Sequence, residues 1–287
     1  MLFWRLRRSE WVVFAYFAYT AVLALTLPLR PPIPAVTVTL NLAVLAGYAL
    51  LISAHGLRGN ALLGVLRDLF PLPLMLLGYR QMGWFAPSYH TYHWEQIWVV
   101  WDRTLLRQWG LHGAVELLGP VLPGLLEICY SLVYAIAPFS VAMLFVCNRR
   151  ERLDAFYFTA LIGVFVAYAQ FPFWPSEPPR AVFPNQDFPS YNTIFRKFNW
   201  WLLGGYGIHT SVFPSAHVSG AFSAAFAILR LLPEKKWLGR SLLALAAAIA
   251  TSTVYGRYHY AADAAAGFAI ALFAEALGRL TYRTWRA

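Results

Sequence analysis

Apolar runs recur along this chain at a length that few soluble folds can use. Eight stretches, at approximately 11–29, 35–54, 61–79, 120–147, 155–173, 216–232, 238–256 and 260–279, each come near the 17–25 residues that a helix needs to cross about 30 Å of hydrocarbon. Only 13% of the 287 residues are charged, against roughly a quarter in soluble domains, while 59% are apolar. That is too little charge to cover a soluble globule and too much hydrophobicity for a disordered chain. The expectation is an all-α, polytopic membrane helical bundle of about eight spans.

The third run departs most from the pattern, because Arg67 and Asp68 interrupt it and Pro71 and Pro73 follow. A re-entrant or interfacial segment is the other reading of it. The first run follows Arg5, Arg7 and Arg8, as a signal peptide would, but it is long and lacks a small-x-small cleavage site, so an uncleaved anchor is expected. The net charge of +10 is scattered between the apolar runs rather than gathered into one stripe, which fits membrane topology and not nucleic-acid binding. With eight spans, the basic residues concentrate before the first run, after the second (Arg58), after the fourth (Arg149, Arg150, Arg152), around the link after the sixth (Arg230, Lys235, Lys236, Arg240) and at the C-terminus. The positive-inside rule then places both termini in the cytoplasm. Cys129 and Cys147 are expected on one helix, roughly 27 Å apart and so beyond disulfide reach.

Three parts are expected: an N-terminal transmembrane hairpin over 1–60, the third run with an outer-face interfacial segment over 61–114, and a transmembrane core over 115–287. Within 61–114 the stretch WEQIWVVWDRTLLRQW has aromatic positions that suit a helix lying in the interface. The core carries a long loop at 174–215, rich in Pro, Phe and Asn, which suits an ordered irregular segment.

Two short sequences hold the ionisable residues that a span tolerates only for a reason. FPSAH, Phe213 to His217, precedes the sixth run; STVYGRYHYAAD, Ser252 to Asp263, joins the seventh to the eighth. Both fall on the same expected side. His259 and Asp263 are four apart, one helical turn, so a carboxylate bonded to one imidazole nitrogen fixes the tautomer and leaves the other nitrogen a directed lone pair. The run of alanines and Gly267 after them allows close helix packing, which brings a second histidine near. Pro214 and Ser215 mark a helix N-terminus, with Ser215 as N-cap and its free N–H groups suited to phosphate. His217, in the first turn, is placed to give a proton to a leaving oxygen. Arg180 in PSEPPR and Arg257 are guanidinium groups that can clamp a phosphate. Together they form a set for phosphoryl transfer without metal or other cofactor.

These sequences resemble the second and third signature motifs of the type 2 phosphatidic acid phosphatase superfamily, PSGH and SR-x5-H-x3-D. Here they read PSAH, with Ala216 for glycine, and ST-x5-H-x3-D, with Thr253 for arginine. The first motif, K-x6-RP, has its nearest counterpart in PPRA, with Arg180 in the arginine's place and no lysine seven residues before it. The drift resembles the branch that contains inositol phosphorylceramide synthases, which also carries a WDR-like stretch such as Trp101 to Arg103. The resemblance implies a six-helix core with helices added N-terminally. It implies His259 as nucleophile forming a phosphohistidine, Asp263 as its orienter, and His217 as acid and then base. It implies Arg180 and Ser215 as phosphate ligands. Arg257, from the same loop, replaces the charge missing at Thr253, and Asp102 is a candidate contact for a polar acceptor headgroup. The expected activity is that of a lipid phosphatase or phosphotransferase, such as inositol-phosphate transfer to a lipid. The expected partners are a lipid phosphate or phosphodiester and the surrounding lipids, at the outer face of a plasma-membrane-type bilayer.

Other residues read as structural. His90 and His93 lack nearby Cys or carboxylate ligands at a fitting spacing. His209 is expected to line the long loop, and Glu127 and Asp68 to pair with arginine or backbone groups. The competing function is a non-catalytic lipid-binding or transport protein on the same fold, which the mostly apolar spans disfavour. Two histidines acting as nucleophile and acid predict a bell-shaped pH–rate profile.

Overall fold

Inside hydrocarbon an unmade amide hydrogen bond costs several kcal/mol, so an apolar run keeps its amides satisfied by becoming helical. The computed structural model describes residues 6–85, 91–208 and 212–282, apart from the side chain of Tyr206, and among them there is no strand. In chain order the helices are α1 (Arg8–Thr26), α2 (Ile33–Arg58), α3 (Ala61–Leu69), α4 (Pro71–Phe85), α5 (His93–Arg103) and α6 (Leu111–Glu116). They continue with α7 (Val121–Val146), α8 (Leu153–Gln170), α9 (Pro179–Val182), α10 (Ile194–Tyr206), α11 (Ala216–Leu231), α12 (Lys236–Tyr255) and α13 (Ala261–Thr281).

Seven of the described helical stretches are long and apolar enough to cross a membrane: α1, α2, α3 with α4, α7, α8, α12 with the turn before it, and α13. The count differs from the expected eight at α11, which has only 16 residues. Its bounds follow from its flanks, with Ser215 capping the start and Pro233 pushing Leu232 out of the helical region at the end. The third run is a nearly continuous helical stretch, Ala61–Phe85, long and apolar enough to cross a membrane. Phe70 keeps helical dihedrals between α3 and α4, and its N–H bonds Leu66 O at 2.9 Å. The interrupting charges are paired: Arg67 with Glu10 at 2.6 Å, and Asp68 with Arg7 at 2.6 Å and Arg150 at 2.5 Å.

The centre is built on small residues. α11 packs against α8, α12 and α13 through Ala221, Ala224, Ala225 and Ala227, all fully buried. The Ser219 hydroxyl donates across to Gly163 O at 2.9 Å, an interhelical bond of the kind that holds membrane bundles. One continuous apolar core reaches from Val13 and Phe17 of α1 to Ile249 of α12, so the N-terminal helices are packed onto the rest. Asn41 of α2 ties them further, donating to Thr20 at 2.7 Å and accepting from Gln81 of α4 at 2.6 Å.

The bundle has two unlike ends. At one, the start of α1, the α2–α3 link, the α7–α8 and α11–α12 turns and the end of α13 meet in ion pairs and hydrogen bonds. Examples are Arg149–Glu234 at 2.8 Å, and Asp154 with Ser9 N at 2.9 Å and with Tyr282 at 2.7 Å. The other end carries α5, α6, α9 and α10. Helix α5 is amphipathic as expected, but with its carboxylates on the inner face: Glu95 and Asp102 are buried, while Trp94 and Trp101 are exposed. Cys129 lies on α7 and Cys147 at its C-terminal end, both free.

Candidate active site

The α12–α13 junction is a tight turn built on one carbonyl. The N–H groups of Tyr258 and His259 both bond Thr253 O at 2.9 Å, and Arg257 just before them takes a left-handed φ of 64°, unusual for a residue with a side chain. The turn delivers His259, almost fully buried, just before α13 begins. Asp263 closes a capping box there, its Oδ2 accepting the Tyr260 N–H at 2.9 Å. The same oxygen lies 3.2 Å from His259 Nδ1. With Nδ1–H donating to the carboxylate, Nε2 carries the lone pair.

That lone pair faces His217. Nε2 of His259 and Nδ1 of His217 are 3.4 Å apart, with ring centroids at 5.4 Å. Two contacts create this meeting. The Ser215 N–H donates to Asp263 O at 2.9 Å, and α13 comes so close at Gly267 that a Cβ there would collide with the Ser215 carbonyl. Ser215 is the N-cap of α11, its Oγ accepting the Val218 N–H at 3.3 Å, and the hydroxyl is buried. The His217 ring stacks on Tyr130 at 5.2 Å, and Tyr130 stacks on Tyr258 at 4.1 Å.

Arg180, half-buried on α9, joins the same group. Its N–H donates to Arg257 O at 3.3 Å, its Nη1 donates to Tyr258 O at 3.4 Å, and it lies 5.5 Å over the Tyr258 ring. Its charge acts on both imidazoles. Burial first, and then that charge, push His259 down to about 3, against a backbone contact with Val212 that pulls it up. The ring is therefore neutral across the physiological range.

Arg257 and Asp102 differ from their expected placement. Both are fully buried, and they turn to each other, Nη1 to Oδ2 at 2.5 Å, rather than to a substrate. The other oxygen of Asp102 accepts the Ala261 N–H at 2.8 Å, the first amide of α13. Burial raises Asp102 to about 6, with Arg257 and the Ala261 amide pulling the other way. The pair thus fastens α5 to the turn that carries His259.

A second buried network went unseen in the sequence beyond the expectation that Glu127 finds an arginine. Glu127 of α7 accepts from Arg196 at 2.9 Å, Asn199 at 2.7 Å and the Tyr258 hydroxyl at 2.6 Å. It bolts α10 and the residue beside His259 onto α7. The available signal was a carboxylate within an apolar run that also contains Tyr130; its partners lie some 70 and 130 positions away and follow no local pattern. Among the described residues no group of three or more His, Cys, Asp or Glu side chains is placed to hold a metal ion. His93 packs against Trp94, while His90 and His209 lie outside the described residues.

A helical membrane bundle with a paired-histidine, carboxylate and guanidinium site is the architecture of a phosphatase-type membrane enzyme. A family model described as the PAP2 superfamily matches residues 95–277, well over half of the chain, and the chain belongs to that superfamily. The matched region starts within α5, so α1 to α4 lie outside it. No curated protein and no solved structure matches the chain.

Proposed function

We propose that this chain is an integral-membrane enzyme that transfers a phosphoryl group from a lipid phosphate or phosphodiester through a phosphohistidine on His259. It acts as a lipid phosphatase or as a phosphotransferase of the inositol-phosphate type. One observation carries the reading: His259 is held by Asp263 at 3.2 Å through one ring nitrogen, while the other faces His217 at 3.4 Å. The Nε2 lone pair attacks phosphorus, and the bond from phosphorus to the leaving oxygen breaks. Protonated His217 gives its proton to that oxygen. Asp263 stabilises the charge that develops on the His259 ring. In the second step water or an alcohol attacks the phosphorus, passes its proton to His217, and the N–P bond breaks, restoring both rings. Substrate displaces the contact between the imidazoles, since 3.4 Å leaves no room for a phosphate.

Arg180 and the N–H groups at the start of α11, behind Ser215, hold the non-bridging oxygens. Arg257 and Asp102 act by holding the turn. The end of the bundle rich in paired arginines faces the cytoplasm, with both termini, and the site faces the outer leaflet of a plasma-membrane-type bilayer. Purified protein given a labelled lipid phosphate releases free phosphate, or passes the label to an added alcohol such as inositol. His259→Ala removes both reactions. Activity retained in that variant, or activity lost to EDTA and restored by a divalent ion, overturns the mechanism.

A further inference from the structure

The two imidazoles of the site are aimed in different ways. Asp263 takes one nitrogen of His259 and so turns the other toward the site. His217 has no carboxylate: among the described residues its one side-chain contact within hydrogen-bond range is His259 itself. Helix α11 fixes where the His217 side chain starts but not the plane of its ring, because the last torsion of a histidine has broad, soft minima. That plane decides whether Nδ1 or a ring carbon faces the reacting oxygen.

Aromatic rings supply the plane. Tyr130, buried on α7, lies nearly flat against His217, with centroids 5.2 Å apart and 19° between the planes, and Tyr134 meets the same ring edge-on at 6.0 Å. Behind Tyr130 stands Tyr258, stacked on it at 4.1 Å and again at 19°. Tyr258 is fixed twice over, its N–H on Thr253 O at 2.9 Å and its hydroxyl on Glu127 at 2.6 Å. Glu127 and Tyr130 are three apart on α7 and share a face, so Tyr258 is anchored to one while its ring rests on the other. Arg196 at 2.9 Å and Asn199 at 2.7 Å hold Glu127 in turn. The column runs from a buried carboxylate through two phenol rings to the imidazole. When His217 takes up a proton, the face of Tyr130 also attracts the cation.

We infer that Tyr130 is the positioning residue of the acid: braced by Tyr258 and Glu127, it holds the His217 ring in the plane from which Nδ1 gives its proton to the leaving oxygen. The inference rests on the proposed acid role of His217 and deepens it. Tyr130 touches neither phosphorus nor its oxygens in this mechanism and acts only through the imidazole. Its loss therefore matters in proportion to how much a leaving oxygen needs a proton.

The test uses purified full-length protein in detergent and two substrates of similar size. Phenethyl phosphate has an alkyl oxygen that needs a proton to leave; nitrophenyl phosphate has one that does not. In Tyr130→Leu the ratio of kcat for the first to kcat for the second falls at least about tenfold, part of the roughly 10²–10⁴-fold that a placed acid supplies. Tyr130→Phe keeps the ring and with it the unaltered ratio. In a His217→Ala background, adding Tyr130→Leu leaves the ratio where His217→Ala alone puts it, as befits a residue that acts through another. Equal losses on both substrates in Tyr130→Leu, the same fall in Tyr130→Phe, or a further fall in the double variant overturns the inference. Tyr258→Phe keeps both rings but cuts the column from Glu127, and it carries the same test should Tyr130→Leu fail to fold: its ratio falls, and an unchanged one overturns the inference. Comparing two substrates in one protein keeps a general loss of folded enzyme from imitating the result. Equal losses in His217→Ala overturn the acid role and this inference together, whereas a selective loss there without one in Tyr130→Leu overturns this inference alone.

Discussion

At the scale of single residues, the proposed mechanism separates the tasks of two similar rings. His259 is buried, clamped by a carboxylate and close to a guanidinium, and each circumstance except the carboxylate disfavours its cation. Its pKa of about 3 lies below the ordinary 6.5, so the neutral ring that the proposed role requires is present over the whole range between them. The sign is testable. The acid limb of kcat/KM, measured with a phosphodiester that does not itself titrate, falls below pH 5 rather than near 6.5, and a limb at 6.5 shows that His259 is not the group read. The same shift draws stability down as pH falls from 6.5 toward 3, because the unfolded chain takes up a proton that the folded chain refuses. His217 has a different signature. His217→Ala lowers kcat on an alkyl phosphate by about 10²–10⁴-fold. It lowers kcat less on nitrophenyl phosphate, whose oxygen leaves without help; equal losses on both substrates contradict an acid role.

At the scale of elements, the site is a matter of how three segments are fastened. Ser215 could be read as a cap from helix geometry alone, whereas His259 lies before the Tyr260 N-cap of α13, so the capping-box carboxylate of Asp263 and not a turn of helix brings the expected pair together. That α11 and α13 approach closely was legible in the run of small residues, and the contact falls on Gly267. Gly267→Ala pushes α13 away from the Ser215 carbonyl, and a displacement of about 1 Å between the rings costs on the order of 10²-fold in kcat. What could not be read were the pairings across long separations. Arg257 reads as a substrate ligand in sequence because its loop also carries His259, yet Asp102, 155 residues away, pairs with it. A lone charge in a sequence looks available; only the fold shows it already neutralised. Asp102→Asn leaves a buried guanidinium without its partner and costs about 3–5 kcal/mol, seen as a lower midpoint of thermal unfolding in detergent. Asp102→Leu combined with Arg257→Met costs less than the sum of the two single changes.

For the whole molecule, the eight expected runs all became helices with bounds displaced by only a few residues, since a hydrocarbon environment leaves an apolar run no other way to satisfy its amides. The charges that interrupt the third run find partners that its own sequence does not contain: Glu10 pairs with Arg67, and Arg7 and Arg150 pair with Asp68. The two ends are correspondingly distinct. In a background with Cys129 and Cys147 replaced by serine, a membrane-impermeant maleimide added to intact cells labels Ser190→Cys and spares Glu234→Cys. The reverse pattern inverts the orientation proposed above.

The brevity of α11 bears on the depth at which the proposed reaction would occur. Its 16 residues cover about 24 Å, against a hydrocarbon thickness near 30 Å, so in the orientation proposed above, with the Leu231 end at the cytoplasmic face, His217 would lie about 6 Å short of the outer one. A phosphate that reaches it must leave the plane of its neighbouring headgroups and sink into a dimple in the leaflet. A thin bilayer lessens that descent and a thick one steepens it, so turnover in vesicles falls as the lipid tails are lengthened.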